Sequence, residues 1–319
     1  MTFIHDAPDF DDLLQIVADD RGLGVALVEK DYWVTHTLWA LHAQGFEVWF
    51  KGGTSLSKGF GLIERFSEDL DLKLEPGAVT AGPAVTNWKS EGVTATAARR
   101  AHFEALSRVL SVPGAQVKLG DTDATFRSAN LQVDYPGKHH AALTSALRPF
   151  VLLEVGSARV TPAVDRDMTS FVHEHLERLG QLGDFTDNRP RAVRCVHPFV
   201  TLLEKVDALI RRFPRNDAAP ATFVRHFEDA ARIVRARDRL PALVSYATPR
   251  ALADEMLGQR QIAALAQSTH PAFNPHDDER WHAVQNALEA IGPMFWGARL
   301  SIEEACADIR NWLDTDVAR

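Results

Sequence analysis

Cysteine is almost absent: Cys195 and Cys306 are the only two in 319 residues. Two thiols make no disulfide framework and read most simply as reduced groups in a cytoplasmic protein. No apolar run approaches the roughly 20 residues that cross a bilayer. The opening stretch, MTFIHDAPDFDD, is acidic and has no apolar core. Neither a membrane span nor a signal peptide is therefore expected. Positive charge is not in surplus either. The formal net charge of −8 argues against a protein that coats nucleic acid non-specifically. No internal repeat or low-complexity tract is visible.

What remains is ordinary globular composition, 45% hydrophobic and 24% charged, with enough chain for one large domain or two moderate ones. Charge is distributed unevenly. Residues 1–50 carry nine acids against two bases, whereas residues 191–240 carry eleven bases against six acids. The basic segment marks either a polyanion site or a solvated arginine-rich helix.

Along the chain, residues 10–43 read as two helices, with Gly45 placed to end the second. FEVWF (46–50) reads as a strand, and KGGTSLSKGFGL as a glycine turn with a short helix opening on Thr54 or Ser55. DLDLKL (69–74) alternates as a half-buried strand whose polar side carries Asp69, Asp71 and Lys73. Residues 75–92 read as a loop, TAARRAHFEALSRVL as a helix, and NLQVDYP and RPFVLLEVG as strands. From about Asp165 strand signals vanish and five stretches of helical periodicity follow. The expectation is an α+β chain: a mixed-sheet domain over 1–164 and a helical domain over 165–319.

Lys51-Gly52-Gly53-Thr54-Ser55, between strand and helix, lets backbone N–H groups approach a phosphate. It is neither a Walker A loop nor a Rossmann fingerprint, and alone it reads more readily as a tight turn that uses two glycines. Asp69 and Asp71 project to one face of their strand, where two close carboxylates call for a cation such as Mg²⁺ or Mn²⁺. Two-metal phosphoryl transfer uses a third carboxylate. Glu154, inside the apolar run FVLLEV, is preferred over Asp134; its bland reading is an ion pair with Arg148 or Arg159. The histidines and Cys195 read as structural or surface residues.

KGGTSLSKGFGLIERFSEDLDL resembles the nucleotidyltransferase core of the AbiEii/AbiGii toxin family, the toxins of AbiE-type toxin–antitoxin systems, which include the MenT toxins of mycobacteria. EKDYWVTHTL resembles the helix before its first strand, RPFVLLEVG its third motif, and LLEKVDALIRR with RHFEDAARIV its fourth. The fifteen residues 54–68 suit this branch rather than other polymerase-β-like nucleotidyltransferases. Where some members have Arg-Asp, this chain has Arg225-His226, leaving Asp229 as the aspartate of that helix.

The resemblance implies a polymerase-β-like fold that moves NMP from an NTP substrate to an acceptor. It implies that Gly52, Gly53, Thr54 and Ser55 hold the triphosphate and that Asp69, Asp71 and Glu154 hold Mg²⁺ or Mn²⁺. Lys51, Arg65 and Lys205 would balance phosphate charge, Asp229 would join the catalytic set, and Ser67 would be a candidate phosphorylation point. Implied partners are a tRNA or other RNA acceptor and a cognate antitoxin, AbiEi-like or kinase-like, encoded nearby. Arg211, Arg212, Arg215, Arg225 and Arg232 are the candidate RNA contacts. Two alternatives stand beside this: the same chemistry on a small molecule such as an aminoglycoside, and a non-catalytic nucleotide-binding module.

Overall fold

The alternation DLDLKLE is realised as β2 (Asp69–Glu75), with Leu70, Leu72 and Leu74 buried and Asp69, Asp71 and Lys73 on the half-exposed face. Burying each leucine stabilises by roughly 2 kcal/mol, so a one-residue slip, which would swap the faces, is strongly disfavoured. The computed structural model describes residues 1–67, 69–75, 85, 87–143, 147–156 and 159–317. Much of the loop expected over 75–92 falls outside the described residues.

Among the described residues the sheet has seven strands: β1 (Glu47–Lys51), β2, β3 (Gln116–Thr122), β4 (Ser128–Asp134), β5 (Val151–Gly156), β6 (Ala163–Arg166) and β7 (Val193–Val196). Their order is β3-β4-β5-β2-β1-β7-β6. Central β2 runs antiparallel to β1 and parallel to β5. The sheet is mixed, as expected, and it carries helices before and after it in an α+β arrangement with a polymerase-β-like core.

The chain forms two compact units. The first comprises Met1–Gly59, Ser67–Val160 and Asp165–Cys195. Its helices are α1 (Phe10–Arg21), α2 (Val25–Ala43), the short α3 (Gly52–Thr54), α4 (Val93–Val109) and α5 (Phe171–Arg178). α2 is enclosed on nearly all sides: Val28, Tyr32, Trp33 and Leu38 are buried, and so are Glu29, Lys30, Asp31 and His36. Such burial demands partners for every polar group. Buried Asn188 supplies several, lying 2.7 Å from His173 Nε2 and 2.8 Å from His36 Nδ1 and donating to the Tyr32 hydroxyl at 3.1 Å. His5 Nδ1 lies 2.8 Å from the same hydroxyl. These histidines are structural.

The second unit comprises Phe60–Phe66, Thr161–Val164 and Val196–Arg319. Its helices are α6 (Pro198–Arg212), α7 (Arg225–Arg235), α8 (Pro249–Gly258), α9 (Glu279–Ala290) and α10 (Ile302–Trp312). Pro198 opens α6, where a missing N–H costs nothing. α7 packs against both α6 and α10 through Phe227, Ala230, Ala231, Ile233 and Val234. The segment Phe60–Phe66 is tied in by main chain: Phe66 N–H donates to Met294 O at 2.8 Å and Trp296 N–H to Glu64 O at 3.0 Å.

Three details differ from the sequence expectation. Residues 165–195 group with the sheet, where α5 and β7 lie. β7, Val-Arg-Cys-Val, is too short and too polar to announce itself. α8 stops at Gly258, although the helical periodicity of ALADEMLGQRQIAALAQ runs on to Gln267.

Candidate active site

Three strands bring the acids together. Lys51, at the end of β1, faces Asp71 of β2, and Asp71 faces Glu154 of β5. Residues opposed in a ladder share a face, so these three form a row across the sheet. Asp69, two residues before Asp71, stands on the same face.

The turn after β1 closes over this row. Lys51 is the N-cap of α3, so the helix starts at Gly52 rather than on the expected Thr54 or Ser55. Gly52 has φ +76°, a left-handed conformation that favours glycine. A Cβ there would stand 1.8 Å from Oδ2 of Asp71. Gly53 is buried behind it. Thr54 is buried too, and its hydroxyl donates to the carbonyl of Asp69 at 3.0 Å, which braces the turn against β2. Ser55 is buried beside Cys195, whose thiol burial pushes up to about 12, with Ser55 opposing. The Thr54 hydroxyl is spent on main-chain carbonyls, whereas the buried Ser55 Oγ has no hydrogen-bond partner among the described residues. Ser67 precedes β2 rather than lying on it, and its carbonyl accepts from Thr54 at 3.4 Å.

Crowding of the acids is visible in their electrostatics. The Glu154 carboxyl is pushed up to about 7 by burial, then by the charges of Asp69 and Asp71 and a hydrogen bond with Asp71, while Arg148 opposes. Oδ1 of Asp69 is buried and accepts no hydrogen bond from the described residues; Arg148 NH1 stands 3.5 Å from it. Arg148, the arginine expected beside Glu154, acts on both Glu154 and Asp69. Among the described residues no group of three or more His, Cys, Asp or Glu is drawn into ligating positions. The donor chemistry nevertheless fits a hard divalent cation: an orphaned buried oxygen, mutually repelling carboxylates, and a glycine where any side chain would intrude. Asp134, the alternative third acid, is taken by Lys118 at 2.5 Å.

Arg65, Lys205 and Asp229 form a buried cluster within the second unit. Arg65 donates from Nε and NH2 to Asp229 at 2.8 and 2.6 Å, and Lys205 Nζ donates to Oδ2 at 2.7 Å. Burial works to raise Asp229, but the two cations outweigh it and hold the carboxylate well below its usual range. Lys205 is lowered by burial, with Asp229 opposing. Lys205 is only 8% exposed and is ion-paired with Asp229.

Three of the five candidate RNA-contact arginines in the basic segment are paired with acids. Arg211 pairs with Asp207 at 2.6 Å, Arg215 with Asp217 at 2.6 Å and Arg232 with Glu228 at 3.2 Å. Arg212 donates to Thr222 O at 3.0 Å, and Arg225 is half-buried at the start of α7. Helical i,i+4 spacing places two of these acids against their arginines, a pairing that a net-charge count misses.

Sequence reasoning also missed Lys30, whose Nζ donates to the Arg148 carbonyl at 2.7 Å, and the Asp31–Lys58 pair at 2.5 Å. Glu-Lys-Asp within a helix looks like a solvated face; the apolar residues all around it were the available signal. No helix among the described residues is long and apolar enough to cross a membrane.

The family model described as "Nucleotidyl transferase AbiEii toxin, Type IV TA system" matches residues 38–305. Among solved structures, MenT4, a nucleotidyltransferase toxin from Mycobacterium tuberculosis H37Rv, is similar over 94% of this chain and 99% of its own, with 16% identity and a TM-score of 0.38. No curated protein matches.

Proposed function

The chain belongs to the AbiEii family of nucleotidyltransferase toxins, and on that premise we propose that it transfers NMP from an NTP to RNA, at the 3′ end of a tRNA above all, and so blocks translation and growth. The observation that carries this reading is the row of Lys51, Asp71 and Glu154, with Asp69, beneath the Gly52 turn.

Asp69, Asp71 and Glu154 would hold Mg²⁺ or Mn²⁺, which when bound neutralises phosphate charge at the reacting centre. Main-chain N–H groups at Gly52 and Gly53 receive the triphosphate, and Lys51 balances its charge. The acceptor hydroxyl oxygen bonds to the α-phosphorus as the bond to the β-phosphate's bridging oxygen breaks. Pyrophosphate leaves, and Glu154 orients the hydroxyl and takes its proton. Arg65 and Lys205 act with Asp229 as one braced group, since neither cation reaches phosphate without breaking a buried pair. A cognate antitoxin, AbiEi-like or kinase-like, completes the system.

Transfer to a small-molecule hydroxyl, as on an aminoglycoside, is the competing reading. The pairing of Arg211, Arg215 and Arg232 with acids favours it, because it removes charge from the proposed RNA face. The test is incubation of the purified protein with each radiolabelled NTP, Mg²⁺ and either total RNA or a panel of aminoglycosides. Label in a tRNA band, lost in Asp69→Ala, is expected; label on an aminoglycoside and none on RNA overturns the acceptor assignment.

A further inference from the structure

A fully buried lysine is costly unless its ammonium is met, and Lys30 in the second turn of α2 is wholly buried. Its Nζ donates to the carbonyl of Arg148 at 2.7 Å. Its neighbours make similar holds. Glu29 accepts the N–H groups of Lys138 and His139 at 3.1 and 3.2 Å. Asp31 pairs with Lys58 at 2.5 Å and accepts the N–H of Phe171 at 2.9 Å. Three consecutive charges on one helix thus each fix a different segment of chain. The hold by Lys30 is the one that carries a cation to the acids. With its carbonyl pinned, Arg148 keeps a side chain 45% exposed and sets NH1 3.5 Å from Oδ1 of Asp69, the buried oxygen that accepts no hydrogen bond from the described residues.

From this we infer that Arg148 is a phosphate-binding residue for the nucleotide, anchored through its main chain by Lys30 and exchanging Asp69 for the triphosphate as substrate enters. This deepens the reading of Asp69, Asp71 and Glu154 given above and rests on it. A divalent cation on Asp69 and a guanidinium 3.5 Å from the same oxygen repel each other. The guanidinium therefore turns outward when the cation binds. A long side chain on a fixed backbone does so by changing rotamer alone. The anion arriving with the cation is the triphosphate, and the planar fork of arginine engages two phosphate oxygens at once. Arg148 consequently opposes the metal when it comes alone and favours it when it comes with nucleotide.

Calorimetric titration of the full-length wild type, Arg148→Ala and Arg148→Lys tests this, first with MnCl₂ alone and then with Mg²⁺ and the α,β-methylene analogue of each ribonucleoside triphosphate. Arg148→Ala is expected to bind Mn²⁺ alone about threefold tighter or more. It should bind the preferred analogue roughly 10- to 100-fold more weakly, the loss of charged hydrogen bonds. Arg148→Lys, which keeps the charge without the fork, should fall between the two on both axes. A merely structural residue would move both affinities in one direction. Nucleotide affinity within about twofold of wild type in Arg148→Ala, or equal weakening of Mn²⁺ and nucleotide, overturns the assignment. A wild type that binds neither Mn²⁺ nor any analogue brings down the reading of the site itself, and this inference with it.

Discussion

Gly52 and Asp71 are in direct contact: a β-carbon on the first would lie 1.8 Å from a carboxylate oxygen of the second. Because Gly52 also has φ +76°, Gly52→Ala meets two separate penalties. It is expected to lose about 2 kcal/mol or more and all transfer activity. Gly22→Ala, at φ +64° with nothing within 4 Å, should lose only about 1 kcal/mol. Urea unfolding of the pair separates backbone strain from the clash; equal losses would refute the contact.

Asp69→Ala and Asp71→Asn should abolish NMP transfer without lowering Tm, since each relieves repulsion among crowded acids. In either variant the Glu154 carboxyl should fall from about 7 toward the ordinary carboxylate range. Carbon NMR titration of Glu154 reads this directly, and an unchanged midpoint would show that the three acids do not interact.

Lys205→Ala leaves Asp229 with Arg65 alone in a buried setting. A loss of roughly 2–4 kcal/mol is expected, and Arg65→Ala, which removes two hydrogen bonds, should cost more. A Lys205→Ala protein as stable as wild type, with only a raised KM for NTP, would restore the simple phosphate-contact role.

Stability should fall on mild acidification. Burial lowers His36 and His173 to about 4, below the value near 6.5 of an unfolded histidine. The unfolded chain then binds more protons between these limits, so stability is full above pH 6.5 and is withdrawn as pH falls toward 4. Each ring accounts for roughly 3 kcal/mol at most. Thermal melting from pH 7.5 to 4.5 should show a fall that His173→Gln reduces; a flat profile would count against the buried neutral rings.

The parts of the site written in local pattern were legible. Alternation in DLDLKLE fixed which face Asp69 and Asp71 share, and the apolar flanks of Glu154 marked it as needing a reason to be there. What could not be read was pairing at a distance. Nothing near Arg148 announces Asp69 or Lys30, and the arginines of α6 and α7 look like free charge until Asp207 and Glu228 are placed beside them. β3, with only modest burial along Gln-Val-Lys-Leu-Gly-Asp-Thr, lacked the contrast that made β2 plain.

The short excursion Phe60–Phe66 interrupts the first unit to join the second, and it carries Arg65 to a partner 164 residues further on. During synthesis the glycine turn, both aspartates and Glu154 therefore emerge while Arg65 still awaits Asp229. No single cut in the chain yields the sheet-bearing unit free of that stranded cation. Released alone as residues 1–195, it would leave the ribosome with a buried-type guanidinium exposed between the turn and β2. The enzyme is thus a poor candidate for dissection into modules.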